Sequence, residues 1–224
     1  MRSNTSELFI SNLNVLNRKE RYYLLLQVMG ENAFVPTKQF VGSLRNQFAQ
    51  PAINCDNFRF AAMDYHLDWI YAAFHATISH IDLKNDNLNE LHPIAKNKNL
   101  VSGTQQDIDF IMAFSDRQSD IIHLVLIEAK GVGSWDIEQL KAKGARLRAL
   151  FETHQLHEKL NVVPHFLYVS PKAPTENQLK SDLPQLMSSP ANHIPMWLPT
   201  PLAKVTRCSK NGEPKAEGEF WKFE

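Results

Sequence analysis

The stretch IIHLVLIEAKG, residues 121–131, decides the fold of this chain. Its first seven residues are apolar except for one histidine, with no alternation between polar and apolar positions. A continuous apolar run of this length is typical of a strand that is buried on both faces of a sheet. The run ends in Glu128 and Lys130, which are two residues apart and therefore share one face of the strand. The sequence thus predicts a buried strand with a carboxylate and an ammonium group at its carboxyl end.

The segment before this run predicts the partner strand. Residues 107–114 are mainly apolar, and the polar residues 115–120 follow as a turn. Two strands joined by a short polar turn form an antiparallel hairpin. Such a hairpin brings the start of the first strand beside the end of the second, so Asp109 is expected to lie close to Glu128 and Lys130.

Helices and strands alternate after this hairpin. A helix over 136–158, with Ser134 as its N-cap, carries an apolar stripe at helical spacing. The further elements expected are a strand over 162–170, a helix over 175–187, strands over 194–198 and 202–207, and a turn at Asn211-Gly212 before Phe220-Trp221. Strands that alternate with helices indicate an α/β domain.

The first 57 residues are predicted to be helical. A helix is expected over 18–29, and a second over 38–48, where Thr37 can cap the first turn. We interpret residues 1–57 as a helical cap that is attached to a core over 58–224, the two forming one compact unit.

Residues 58–80 are predicted to form the longest apolar helix, because their large apolar side chains recur with a period of 3.6 residues. Asp64 and Asp68 would then lie one turn apart on a neighbouring face. The next segment, 82–106, is rich in Asn and lacks sustained periodicity, so it is expected to be a long exposed connection.

Composition excludes several classes of protein. The 224 residues include 24 basic and 24 acidic side chains, so the net charge does not indicate nucleic acid as a partner. Cys55 and Cys208, the two cysteines, lack the spacing of a metal site or a disulfide framework. No apolar run is long enough to span a membrane, and no apolar segment of signal-peptide length follows the N-terminus. We therefore expect a cytoplasmic globular protein.

The three charged groups at the predicted sheet edge have a chemical use. Mg²⁺ prefers hard oxygen ligands and keeps several waters, so Asp109 and Glu128 could hold it and leave positions for water and a phosphodiester oxygen. Lys130 could orient the attacking water and screen the charge that develops on the phosphate.

This set of residues resembles the motif of the PD-(D/E)xK nuclease superfamily, whose members have the restriction-endonuclease-like fold. The family core is a helix, a mainly antiparallel three-stranded meander, a second helix and a further strand packed alongside. The motif is an acid on the second strand and Glu/Asp-x-Lys on the third, positions matched here by Asp109, Glu128 and Lys130. The resemblance covers residues 60–170 and implies a mixed sheet flanked by helices.

The resemblance implies a metal-dependent nuclease that hydrolyses DNA phosphodiester bonds with Mg²⁺, or with Mn²⁺ in its place. The implied site residues are Asp109, Glu128 and the carbonyl of Ala129 as metal ligands, Asp64 or Asp68 as a further carboxylate, and Lys130 and Gln139 as catalytic residues. Lys143 and Arg146, on the same predicted helix as Gln139, are expected to contact DNA phosphates. Because many nucleases of this fold cut duplexes as dimers, the resemblance also implies a homodimer as one possible assembly.

Two features of the family pattern are not found in the sequence. Ile108 stands where the family has Pro before the first acid, and no strand is evident in 82–106 to serve as the first strand of the meander.

Other functions stay open at this point. A nucleic-acid-binding or scaffold protein that keeps the fold without catalysis would show the same pattern. An RNA substrate is not excluded, and the zero net charge also permits a protein that acts on no nucleic acid. Trp135 is interpreted as a core or rim aromatic, with base stacking as the alternative.

Overall fold

The apolar run lies at the centre of a five-stranded mixed sheet in the computed structural model of this chain. The structure describes residues 5–16, 24, 27–28, 35–86, 100–103, 106–116, 119–131, 134–180, 182–198 and 203–223. Most of the helix expected over 18–29 and much of the connection expected over 82–106 lie outside these described residues. Within them, no helix is long and apolar enough to cross a bilayer.

Five strands form the main sheet, and they neighbour one another in chain order. They are β1 (Phe58–His66), β2 (Asp107–Asp116), β3 (Ile121–Ala129), β4 (Val162–Ser170) and β5 (His193–Pro195). The pairs β1–β2 and β2–β3 are antiparallel, whereas β3–β4 and β4–β5 are parallel. The strands β6 (Val205–Cys208) and β7 (Phe220–Phe223) form a separate antiparallel hairpin.

Helices flank this sheet. In chain order they are α1 (Thr5–Val15), α2 (Lys38–Phe48), α3 (Leu67–Ile78), α4 (Ile137–Arg148), α5 (Glu176–Leu179) and α6 (Gln185–Ser188). A π-helical turn, Ala149–Thr153, continues α4, and 3₁₀ turns occur at Cys55–Asn57 and Glu158–Leu160.

The helices cover both faces of the sheet. On one face, Phe9 of α1, Phe74 of α3 and Leu147 of α4 belong to the same buried cluster as Leu124 and Leu126 of β3. On the other face, α2 packs against the sheet in a second cluster; its members include Val41, Leu44, Met112, Phe114 and Val125. The described helices from the region predicted as a cap therefore help to cover the sheet on both sides.

The predictions around the hairpin are confirmed. β2 and β3 pair as expected, and every side chain from Ile122 to Glu128 is buried, as a strand covered on both faces requires. α2 occupies the predicted range, and the Thr37 hydroxyl accepts a hydrogen bond from the Phe40 N–H at 3.2 Å. β4 also has the predicted bounds.

The prediction of one helix over 58–80 is wrong, because its first nine residues form β1 and the helix begins at Leu67. Phe60 and Ala62 pack in one apolar cluster and Ala61 packs in the other, so this strand is apolar on both faces. A short apolar run of this kind cannot be distinguished from a helix by periodicity alone. β1, which lies before the segment 82–106, pairs antiparallel with β2 as β2 does with β3.

Three smaller predictions need correction. Asp136, not Ser134, caps α4, and its carboxylate accepts from the N–H groups of Glu138 and Gln139. The regular α-helix then ends at Arg148 and continues only as the π turn. The helix expected over 175–187 is two short helices, α5 and α6, and Pro184 is the N-cap residue of the second.

The β6–β7 hairpin leaves apolar side chains exposed. Val205 lies opposite Phe223, and Arg207 lies opposite Trp221. Of these four residues, Val205, Phe223 and Trp221 are each more than half exposed. Both strands of the hairpin pair only with each other in the described structure.

Gly144 provides a test of how closely α4 packs. A Cβ at this position would lie 2.9 Å from Cδ of Pro184 and 3.3 Å from Cδ2 of Leu183. We expect Gly144→Ala to lower the free energy of unfolding by about 1–3 kcal/mol, because the ring of Pro184 cannot yield as a flexible side chain would. Urea unfolding followed by circular dichroism measures the change.

Gly42 of α2 is the matched control, because a Cβ there would meet nothing within 4 Å. Alanine is favoured over glycine inside a helix, so Gly42→Ala should raise the free energy of unfolding by about 0.5–1 kcal/mol. Opposite signs for the two variants are the expected result. Equal stabilisation of both would contradict the close packing at Gly144.

Candidate functional site

The β2–β3 hairpin brings Asp109 to the end of β3. Phe110 pairs with Ile127, so the same register places Asp109 opposite Glu128. The backbone N–H of Ala129 donates a hydrogen bond to Asp109 Oδ2 at 2.7 Å. Residues directly opposite in an antiparallel pair have side chains on the same face. The two carboxylates therefore lie together on the face that α3 and α4 cover.

Glu128 is an ionisable side chain in the core, with a relative exposure of 5%. Lys143, near the middle of α4 and also buried, donates a hydrogen bond from Nζ to Glu128 Oε1. The other oxygen, Oε2, is buried and has no hydrogen-bond partner among the described residues. A buried carboxylate oxygen without a donor is costly, so this side chain is only half satisfied.

Burial raises the pKa of Glu128 from its ordinary value of 4.5 to about 7. The charge of Asp109 acts in the same direction, whereas the ammonium groups of Lys143 and Lys130 lower the pKa. Ionisation near neutral pH makes this group responsive to a nearby cation, which would favour the charged form.

This raised pKa predicts how stability depends on pH. The folded state holds a proton on Glu128 more tightly than the unfolded state does, so stability is lost as pH rises from 4.5 through about 7. Glu128→Gln should remove this contribution, which is on the order of 3 kcal/mol. Urea unfolding of both proteins at pH 5 and pH 8 measures it. Parallel pH profiles for the two proteins would show that Glu128 titrates normally.

Asp64, on β1, is a third carboxylate near Asp109 and Glu128. Met63 pairs with Phe110 and Tyr65 pairs with Ile108, so Asp64 stands opposite Asp109. Its φ of 49° is in the left-handed region, which is uncommon for a residue other than glycine. Like charges opposite one another and a strained backbone both oppose folding, and such features cluster at functional sites.

A recess of about 230 Å³ lies between these strands and α4. Its lining residues are Asp64, Gln106, Asp107, Asp109, Gln139, Ala142 and Lys143. Gln139 and Lys143 are four residues apart and therefore share the helix face that closes the recess. We call this space the acidic recess, since three of its lining side chains are carboxylates.

Lys130 follows β3 on the same face as Glu128. Its N–H donates to the carbonyl of Val169 at 2.8 Å, which extends the parallel pairing of β3 and β4 by one residue. Its side chain lines a second and larger recess beside the first residues of α4. The structure therefore places Lys130 next to Glu128. Lys130 lines the larger recess, however, whereas Asp64 lines the acidic recess.

Asp68 does not line the acidic recess, which corrects its expected place beside Asp64. It lies in the first turn of α3 and forms an ion pair with Arg146. The Arg146 guanidinium also donates to Ser102 Oγ at 2.6 Å and to the carbonyl of Leu100 at 2.9 Å. These contacts hold the segment before β2 against α3 and α4. Asp68 and Arg146 therefore stabilise the fold at this point.

The expected phosphate contacts also need correction. Lys143 and Arg146 are both buried and both engaged by carboxylates, so neither side chain presents its charge to solvent. Sequence spacing placed them on a polar helix face but could not show that α3 and the sheet cover this face.

Asp107 is a residue of the acidic recess that sequence reasoning missed. Its Oδ1 lies 3.3 Å from Nε2 of His66, at the junction of β1 and α3. The spacing Asp107-x-Asp109 puts both carboxylates on one side of a strand, and this signal was available in the sequence.

Carboxylate oxygens, which are hard donors, line the acidic recess. Among the described residues, no group of three or more His, Cys, Asp or Glu side chains is arranged to hold a metal ion. Mg²⁺ is commonly held by one or two carboxylates together with waters and substrate phosphate. Asp109 and Glu128, whose Oε2 has no hydrogen-bond partner among the described residues, are two such carboxylates.

Comparison with known proteins identifies no relative: no protein-family model, no curated protein and no solved structure matches this chain. A function can therefore be inferred only from the geometry of the site.

Proposed function

We propose that this protein is a metal-dependent nuclease of the restriction-endonuclease-like type, which hydrolyses DNA phosphodiester bonds with Mg²⁺. The proposal rests on the position of Asp109 opposite Glu128, at the end of the sheet where β2 begins and β3 ends. Asp64 lies on the neighbouring strand β1, and Lys130 lies beside Glu128. Carboxylates grouped in this way repel one another, and a bound cation would relieve the repulsion.

The order of elements supports the proposal. β1, β2 and β3 form an antiparallel meander, α4 follows, and β4 packs in parallel beside β3. This is the order expected for the family core. α3, which lies between β1 and β2, is an addition to that order.

The residues have distinct roles in the proposed reaction. Asp109, Glu128 and the Ala129 carbonyl would hold Mg²⁺, with Asp64 on the neighbouring strand as a further carboxylate. When bound, the ion would lower the pKa of a water molecule and stabilise charge on the phosphate. Lys130 would orient the attacking water, and Gln139, exposed at the start of α4, would donate hydrogen bonds to it or to the phosphate.

The sequence indicated that Lys143 contacts DNA phosphates, but its role in this proposal is different. Its ammonium group compensates the charge of Glu128 inside the protein. Once a cation neutralises that carboxylate, the same ammonium group is placed to screen a phosphate that enters the acidic recess.

A cleavage assay tests the proposal. The purified full chain is incubated with supercoiled plasmid, linear duplex, single-stranded DNA or RNA, in Mg²⁺, Mn²⁺ or EDTA. We expect nicking or degradation of DNA that requires the divalent cation. Asp109→Asn should lose this activity, whereas Asp56→Asn, an exposed aspartate before β1, should retain it. Equal activity in EDTA would refute a metal-dependent mechanism.

The ion pair between Glu128 and Lys143 favours one alternative, a nucleic-acid-binding or scaffold protein that keeps the fold without catalysis. In such a protein the lysine would permanently replace the metal. Isothermal titration with Mn²⁺ distinguishes the two, because only the nuclease requires binding heat that depends on both Asp109 and Glu128.

A further inference from the structure

A second recess, of about 640 Å³, lies at the carboxyl ends of β3 and β4. Its lining residues include Lys130, Gly131, Trp135, Ser170, Lys172 and Gln178. We call it the basic recess. A volume of several hundred Å³ is typical of sites for small molecules of nucleotide size.

The charge of this recess is opposite to that of the acidic recess. Lys130 and Lys172 line it, and none of the described lining residues is acidic. Neither lysine forms an ion pair with another described residue. Lys130 interacts electrostatically with Glu128, whereas the ammonium group of Lys172 at the same concave surface favours an anionic ligand.

The walls of the basic recess are held in place by hydrogen bonds. The Trp135 indole N–H donates to the carbonyl of Lys172 at 3.3 Å, and the hydroxyl of Ser170 donates to the same carbonyl at 2.7 Å. Gln178 of α5 donates to the carbonyl of Trp135 at 2.9 Å. Since Trp135 is also buried edge-on against Tyr168, it serves as a fixed wall and does not provide a face for stacking.

An exposed aromatic side chain lies on the segment that passes this recess. Leu198 is close to Gly131, since a Cβ at Gly131 would lie 3.6 Å from Cδ2 of Leu198. Its neighbour Trp197 is 71% exposed and lies two residues beyond the end of β5. In proteins that bind single-stranded nucleic acid, aromatic side chains beside basic groups stack on unpaired bases.

We propose that the basic recess binds a nucleotide of the substrate strand next to the scissile bond. Lys172 would contact its phosphate and Trp197 its base. The inference rests on the proposed nuclease function, because Lys130 borders this recess and also stands beside Glu128, which pairs with Lys143 of the acidic recess. A strand lying across β3 would place one phosphate at the carboxylates and the adjoining nucleotide in the basic recess.

The test measures binding without metal, so that it is separate from cleavage. Fluorescence anisotropy in EDTA follows the binding of a fluorescein-labelled oligodeoxynucleotide, single-stranded or duplex, to the full chain and to Lys172→Ala and Trp197→Ala. Lys38→Ala is the matched control, because Lys38 is exposed on α2 at the opposite face of the sheet.

Lys172→Ala should weaken binding of both oligonucleotides about tenfold and reduce the slope of log affinity against log salt by about 1. Trp197→Ala should weaken binding of the single strand on the order of tenfold, with a smaller effect on the duplex. Lys38→Ala should leave both affinities unchanged. Thymidine 5′-monophosphate and inorganic phosphate are added as competitors, and displacement by them would show that the recess also takes the free nucleotide.

Unchanged binding by Lys172→Ala, or an equal loss in Lys38→Ala, would overturn the inference. If binding depends on Lys172 while no divalent cation supports cleavage, the nuclease proposal fails and the recess stands as a nucleotide site. If DNA is cleaved but Lys172→Ala cleaves and binds like the parent, the recess is not part of the substrate path.

Discussion

Glu128→Gln should reduce the rate of Mg²⁺-dependent DNA cleavage by on the order of 10²–10³-fold or more. Glutamine has the shape of glutamate and can still accept a hydrogen bond from Lys143, but it lacks the negative charge that attracts a divalent cation. The rate is measured as loss of supercoiled plasmid with time, at several Mg²⁺ concentrations.

The control for this variant is Glu138→Gln. Glu138 lies in the first turn of α4, is largely exposed and pairs with Lys141, so its substitution should leave the rate within about twofold of the parent. Glu128→Gln should also be folded at pH 8, because burial disfavours the charged form that it removes. A folded Glu128→Gln protein that cleaves at the parental rate would rule out Glu128 as a metal ligand.

Lys143→Met should destabilise the protein by about 3–5 kcal/mol at pH 8. The substitution leaves the buried carboxylate of Glu128 without its compensating charge, while methionine fills much of the same volume. At pH 5 the loss should be much smaller, because Glu128 is then largely protonated. The free energy of unfolding in urea at the two pH values gives both numbers.

Two further variants separate this effect from a packing defect. Lys141→Met removes a partly exposed partner of Glu138 and should change stability by less than about 1 kcal/mol. Adding Glu128→Gln to Lys143→Met should recover most of the lost stability, since no buried charge then remains. An equal loss at pH 5 and pH 8, with no recovery in the double variant, would contradict the electrostatic explanation.

The sequence predicted the part of the site that depends on strand pairing. A continuous apolar run and a short polar turn were sufficient to place Asp109 beside Glu128, because the register of an antiparallel hairpin follows from its turn and its apolar faces. The burial of β3 on both faces could be predicted because polar and apolar residues do not alternate along this strand.

The parts that depend on long-range packing could not be predicted in this way. β1 is apolar on both faces like a buried helix, so its strand character becomes clear only when it pairs with β2, and the position of Asp64 depends on that pairing. Likewise, Lys143 and Arg146 lie on a polar helix face, and only the folded chain shows which carboxylates meet them. Spacing along one helix carries no information about the neighbouring helix.

The β6–β7 hairpin has a consequence for how the chain unfolds. Among the described residues β6 and β7 pair only with each other, and a two-stranded ribbon of this kind is marginally stable in water. The ribbon can therefore open while the five-stranded sheet stays intact. We therefore expect the hairpin to open at a lower free energy than the five-stranded sheet, and its Trp221 and Phe223 are exposed even before it opens.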